Sequence, residues 1–240
     1  MQVLDASGII THDMLAGLPE PVRRYLTYSQ LLGNIAVKNA RVMYTGEFRL
    51  SADKPWMQMQ AEQFYTVDPP SFEWNAGFKF LGIPLMSACD TYRDGNAHMV
   101  GKLANLFTVF DAHDSKELLQ GTMIRYLQEM VWFPTAYLSP YITWHEVDDH
   151  CADATFVYYD SSVTGRFYFD DMGRVVNFVA ERYAENNGDY HLHTWSTPMT
   201  DYATFGDFRV PRTGLAIWQF PDEDLIYIKL TVNDIQYDVD

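Results

Sequence analysis

Apolar and polar positions alternate with period two along most of the chain, and two stretches break that rhythm. The first lies at Met14 to Leu32, where Leu15, Leu18, Val22, Tyr25 and Leu26 recur at helical spacing. Pro19 and Pro21 stand where a first turn tolerates them, so the segment reads as a helix serving as a lid or an end plug. From Val37 to about Phe110 the period is two: Val42, Tyr44, Gly46 and Phe48 alternate with Arg41, Met43, Thr45 and Glu47. Further strands are expected at Trp56 to Val67, Phe72 to Phe80, Leu85 to Tyr92 and His98 to Phe110. Asp53-Lys54-Pro55 reads as a turn, and Asp68-Pro69-Pro70-Ser71, with two residues that cannot donate to a ladder, as a connection. Arg93-Asp94-Gly95-Asn96 is a strong hairpin signal.

The second break, Ser115 to Met130, predicts a helix with Ser115 as N-cap. Leu118, Met123, Ile124, Leu127 and Val131 fall near one face, and Pro134 closes it. Period two then returns at Ile142 to Val147, Ala154 to Tyr159, Val163 to Phe169, Val175 to Tyr183 and Tyr190 to Trp195. Ala203 to Phe205, Leu215 to Phe220, Leu225 to Val232 and Ile235 to Val239 complete the set. Turn signals at Asp160-Ser161-Ser162, Asp171-Met172-Gly173, Asn186-Asn187-Gly188 and Pro221-Asp222 space these strands as a meander. In Val175 to Tyr183, Val175, Val179 and Tyr183 would point one way, and Val176, Phe178 and Ala180 the other. A sheet with one wet face needs no such doubly apolar strand, so something covers the second face. The fold class expected is α+β, mainly β: a curved antiparallel half-barrel whose N-terminal and central helices cover an apolar concavity. No repeat or linker divides the chain, which reads as a single domain over residues 1–240.

Composition sharpens the picture where it excludes. Thirty-two acidic against 17 basic residues give a formal charge of −15, which speaks against nucleic acid and against anionic membrane surfaces. Two cysteines, Cys89 and Cys151, are too few for a disulfide scaffold, and no stretch approaches a membrane span, so a cytoplasmic location is expected. The 16 Tyr and 15 Phe suit a sheet and an aromatic-lined pocket alike. Gly-rich phosphate loops, Gly-x-Ser-x-Gly, His-Glu-x-x-His and Cys-x-x-Cys are all missing, and no cofactor is expected.

The candidate chemistry is dispersed. Arg125 and Glu129 stand at i, i+4 on the central helix, either as an ordinary surface pair or, at a cavity mouth, as an anion clamp beside an acid or base. Glu62 and Asp90 interrupt apolar strands and would need a partner such as Arg125 or Arg182 if covered. His191 and His193 share a strand face and could chelate a metal with Asp90 or Glu181, although solvent-facing histidines explain them equally well, and no metal site is assigned. His145 to His150 carries ligand-type residues but reads as a hydrated strand end and turn.

Two functions follow from these residues. One is binding of a lipid-like or other apolar small molecule, with Trp74, Tyr92, Trp132, Trp144 and Tyr183 as walls and Arg125 at the head group. The other is general acid/base catalysis on a small hydrophobic substrate, using Glu62, Asp90, Arg125, Glu129 and His193. Exposed aromatic strands without a closed cavity would instead favour a scaffold role.

Several blocks carry a resemblance. Leu18-Pro19-Glu20-Pro21-Val22-Arg23-Arg24-Tyr25-Leu26, Gly46-Glu47-Phe48-Arg49-Leu50, Ala61-Glu62-Gln63-Phe64 and Asp68 to Trp74 resemble successive blocks of one mainly bacterial family of unknown function. Its most distinctive block is similar to Arg125-Tyr126-Leu127 through Trp132-Phe133-Pro134-Thr135-Ala136, and the resemblance runs from about Leu18 to Tyr237. It supplies no reaction and no catalytic residues. Where Gly-Glu would be expected before Arg-Tyr-Leu, this chain has Gly121-Thr122, so an activity resting on that acid would be lost here. The order of elements is similar to the half-barrel of bacterial lipoprotein carriers, which implies an apolar concavity capped by helices.

Overall fold

A computed structural model describes residues 8–104, 106–113, 115–186 and 188–239. The N-terminal segment is divided: Gly17 and Pro19 separate α1 (His12–Leu15) from α2 (Glu20–Tyr28), so the single helix expected over Met14 to Leu32 is two shorter ones. Pro19 caps α2 and Pro21 lies in its first turn, where a missing N–H costs nothing. Val22, Tyr25 and Leu26 are buried, and the Tyr25 hydroxyl donates to the Val131 carbonyl at 2.8 Å. α2 lines no part of the cavity described below, which makes it the plug rather than the lid.

Six antiparallel strands follow in a meander: β1 (Asn39–Phe48), β2 (Met57–Thr66), β3 (Ser71–Phe80), β4 (Ile83–Arg93), β5 (Asn96–Leu103) and β6 (Phe107–His113). The run expected as one strand from His98 to Phe110 is β5 and β6 folded on each other, with Leu103 opposite Phe107. Its apolar residues concealed a turn that carries no Gly-Asn signal.

The helix α3 (Lys116–Glu129) comes next, its N-cap Ser115 hydroxyl accepting from the Leu118 N–H at 2.9 Å. It ends before Pro134, through 3-10 turns at Met130–Trp132 and Pro134–Leu138. The second meander is β7 (Ile142–Asp148), β8 (Cys151–Tyr158), β9 (Ser161–Phe169), β10 (Val175–Asn186) and β11 (Asp189–Ser196). Asn187, in the turn expected at Asn186-Asn187-Gly188, lies outside the described residues. β12 (Met199–Phe205) continues the line of β11 past Thr197-Pro198, and the long β13 (Phe208–Gln219) pairs with both. The two last strands expected, Leu225 to Val232 and Ile235 to Val239, are one: β14 (Asp224–Tyr237), with an irregularity at Asn233 where the register against β1 shifts. A second irregularity at Val176 turns Val175 and Phe178 to the same buried face, correcting the alternation expected for β10.

All strands belong to one curved sheet, a half-barrel, in the order β6-β5-β4-β3-β2-β1-β14-β13-β11-β10-β9-β8-β7, with β12 on β13. The chain's first and last strands meet at its centre, and β6 and β7 stand at opposite ends. The segment joining those ends must cross the concave face, and α3 is that segment. Its 14 residues span about 21 Å.

Curvature brings the two meanders together at one end, where Tyr92 of β4 meets Phe156 of β8 at a ring separation of 6.1 Å. Gly95, at φ +75°, lies against Tyr159 so closely that a Cβ there would stand 2.6 Å from the Tyr159 ring. The turn therefore needs glycine both for its left-handed conformation and for that approach.

Candidate functional site

Arg125 and Glu129 project from α3 into the concavity with side chains only 13% and 8% exposed, so they are not a surface pair. Each nitrogen of the Arg125 guanidinium donates within the fold, which uses three of its five N–H groups. Its Nε donates to Glu129 Oε1 at 2.8 Å, Nη1 to Asp90 Oδ2 at 2.9 Å and Nη2 to Gln63 Oε1 at 2.8 Å. Glu129 Oε2 accepts from Gln63 Nε2 at 2.8 Å and from the Tyr65 hydroxyl at 3.0 Å. The Phe72 and Trp74 rings face the guanidinium at 5.2 and 4.7 Å.

Period two explains this convergence: Gln63, Tyr65, Phe72, Trp74 and Asp90 all occupy inward positions of β2, β3 and β4, beneath one turn of α3. Burial pushes the Asp90 and Glu129 carboxyls above their ordinary range, with the neighbouring guanidinium opposing the shift. Burial works against the charged form of Arg125 too, but the facing carboxylates outweigh it and raise its pKa. One cation against two buried carboxylates leaves a charge deficit, and Arg182 on β10 supplies the next positive field felt by Asp90.

Beside this cluster lies a cavity of about 270 Å³, whose walls are largely apolar and include Met59, Trp74, Trp132, Trp195, Trp218 and Tyr227. Asp90, Arg125, Glu129 and Arg182 enter it from the polar side. Arg182 lies over the Trp195 and Trp218 rings at 4.8 and 5.6 Å. Among the described residues no carboxylate oxygen comes within 4.0 Å of it. Its position depends on Gly121 of α3, where a Cβ would stand 3.0 Å from Arg182 Nε. Among the described residues, four buried polar atoms of cavity residues have no hydrogen-bond partner: Trp74 Nε1, Asp90 Oδ1, Arg182 Nε and Thr197 Oγ1. Buried polar groups are nearly always paired, so four unpaired atoms in residues around one cavity set this region apart from an ordinary core.

The sequence candidates divide cleanly. Asp90, Arg125, Glu129, Trp74 and Trp132 come together at the cavity. Glu62 points to the outer face, half exposed, and pairs with Arg41 at 2.6 Å. His193 stands edge-on to Phe220 at 4.8 Å and does not line the cavity, and His191 is exposed. Glu181 is engaged by the Thr194 hydroxyl at 2.7 Å, and among the described residues no three His, Cys, Asp or Glu side chains gather as a metal site.

Tyr92 is buried among Phe72, Tyr126, Phe156 and Tyr158, and Trp144 stacks on Tyr137 at 5.1 Å; both are core rather than wall. Tyr183 pairs with Leu192 on the face opposite Arg182. The residues overlooked as walls are Met59, Trp195, Trp218 and Tyr227, and Arg182 was weighed only as a partner for an acid. The Trp195–Trp218 pairing across β11 and β13 would have pointed to them, but that pairing is non-local and leaves no spacing signal.

Among solved structures, the chain is similar to one described as an outer membrane lipoprotein-sorting protein domain from Vibrio parahaemolyticus. The identity is 9% and the TM-score 0.50, covering 84% of this chain and 86% of that one. A LolA superfamily protein from Nitrosomonas europaea is similar at 6% identity and TM-score 0.50, covering 90% and 91%. At such identities the likeness is one of fold: a half-barrel with helices across its concavity. No curated protein sequence matches the chain. The model of one family does match, over residues 8–230, which takes in the plug, both meanders and the whole Arg125 cluster, and the chain belongs to that family of unknown function, DUF6544.

Proposed function

We propose that the protein binds a small amphipathic molecule, its apolar body against the tryptophans and an acidic head at Arg182. The observation that carries this reading is a guanidinium stacked on two indoles, facing a largely apolar cavity, with no carboxylate oxygen within 4.0 Å among the described residues. Arg182 is better placed for the head group than Arg125, which already commits three of its five N–H groups to Glu129, Asp90 and Gln63 inside the fold. The Arg182 guanidinium supplies the positive charge that an oxyanion would meet, and Asp90 places a carboxyl on the same cavity.

Size narrows the class. The cavity of about 270 Å³ suits one medium-length chain or one ring system. The lipoprotein-sorting description of one structural neighbour supports an apolar ligand.

The test is titration of the four cavity tryptophans' fluorescence with decanoate and with decanol. Decanoate should bind at least about tenfold more tightly, the worth of one charge-assisted contact, and Arg182→Met should erase the difference. Failure of either compound to bind, with native mass spectra showing only bare protein, would end this reading.

A second reading rests on Asp90, a buried carboxyl among the cavity-lining residues with one oxygen unpaired and a raised pKa, suited to proton transfer on a small hydrophobic substrate. Turnover of a bound ligand that Asp90→Asn abolishes without weakening binding would select catalysis over carriage.

A further inference from the structure

At the far end of the first meander two hairpin tips carry apolar side chains into solvent. Leu81 and Ile83 beside the β3–β4 turn are 85% and 69% exposed, and Leu106 and Phe107 at the β5–β6 turn are 77% and 68% exposed. The tips are neighbours: β4 pairs with β5, and the Ala104 N–H donates to the Leu85 carbonyl at 2.8 Å.

Folding does not ask for these residues. Leu81 and Ala104 both sit at φ +51°, a left-handed conformation in which turns favour Gly, Asn or Asp. A leucine there is paid for in backbone energy and gains no burial, so its reason lies outside the folded chain.

The tips carry no acidic residue of their own. The chain has 32 acidic residues, yet residues 78–88 and 100–110 contain no Asp or Glu and two lysines, Lys79 and Lys102, both exposed. A row of inward-facing residues on β3 also links tip to cavity: Trp74, Ala76 and Phe78 are buried in turn, and Phe80 follows in phase at the tip. Trp74 meets Phe78 at 6.3 Å, so the apolar stripe runs from the Arg125 cluster to the exposed end without a polar break.

We propose that the β3–β4 and β5–β6 tips form a docking surface for a zwitterionic phospholipid bilayer. Leu81, Ile83, Leu106 and Phe107 enter the boundary between head groups and acyl chains, while Lys79 and Lys102 keep their amines at the phosphates. A strongly anionic leaflet is disfavoured by the −15 charge of the whole chain. The docking stands apart from the ligand reading, since it needs no occupant in the cavity.

Flotation with phosphatidylcholine vesicles tests it. The wild-type chain should rise with the lipid, and the double variant Leu81→Asn, Phe107→Ser should partition at least about tenfold more weakly. Asn suits the left-handed turn position, and unchanged thermal unfolding will show that the variant folds. Trp218→Leu, a cavity change, should float like wild type even where it no longer takes up decanoate, which separates the two readings. A wild-type chain that stays with the soluble fraction at every lipid concentration overturns the proposal, as does a double variant that floats undiminished. Sedimentation showing a dimer that the double variant dissociates, without vesicle binding, would overturn it in favour of a second copy on the same tips.

Discussion

Adjacent residues of one helix meet two different interiors. Tyr126 enters a solid one, stacked on Phe156 at 5.2 Å and donating to the Thr66 carbonyl at 2.9 Å, with Tyr137, Trp144 and Phe167 packed beyond. Arg125 enters a hollow one, bounded by an ion cluster below and by tryptophans beside it. On the solid side, indole and phenol groups mostly find backbone carbonyls, as Tyr25, Tyr126 and Trp144 do, although the Tyr92 and Tyr137 hydroxyls do not. On the hollow side, a carboxylate oxygen, a guanidinium Nε, an indole N–H and a hydroxyl remain over together. Burial alone therefore does not mark a site. Burial combined with unspent charged groups does.

The comparison can be broken from either side. The largest effect is expected for Arg125→Met, which strands two buried carboxylates and should cost about 5 kcal/mol at neutral pH, the upper end for a broken buried pair. Urea unfolding at pH 7 and near pH 4 would measure it, and the cost should shrink at the lower pH, where both acids take up protons. Phe156→Ala on the solid side should cost about 4 kcal/mol, because the rings around it cannot collapse into the space, and it should leave decanoate binding intact.

The pH dependence itself is a third handle. The folded protein holds protons on Asp90 and Glu129 at pH values where the unfolded chain, with carboxyls near 3.8 and 4.5, has released them. Their stabilising contribution is thus complete below about pH 4 and is lost as pH rises through the raised folded values. The stability difference between wild type and Glu129→Gln should therefore move against wild type between pH 4 and pH 7, and urea midpoints across that range would show it.

Trp218→Leu should change stability by only about 1–2 kcal/mol, since its ring borders a cavity, while strongly weakening ligand uptake in the fluorescence titration. Ser115→Ala tests the helix that both interiors share: loss of its N-cap should cost about 1 kcal/mol by thermal unfolding, with ligand affinity unchanged.

Local chemistry made much of this legible. The period-two runs gave the strands, Asp94-Gly95 gave its hairpin, Ser115 gave the start of α3, and the spacing of Arg125 and Glu129 gave the one pair at the centre of the cluster. What failed did so for physical reasons. The β5–β6 turn is hidden in an apolar run over His98 to Phe110, because Leu106 and Phe107 are exposed despite their apolar side chains. The irregularities at Val176 and Asn233 shift faces without changing composition. Arg182, Trp195 and Trp218 converge only through the pairing of β11 with β13, and no property of either segment alone announces that pairing.

The meeting of β1 with β14 has a consequence for synthesis. Each meander can form from neighbouring hairpins as it leaves the ribosome, but Ala40 must wait for Tyr237 before the two are joined. Until then β1 presents an open edge, and the wall that β14 contributes to the cavity does not exist. A nascent chain stalled before Asp224 would hold every residue of the Arg125 cluster yet lack one wall of the pocket beside it, leaving the facing edges of β1 and β13 open to aggregation.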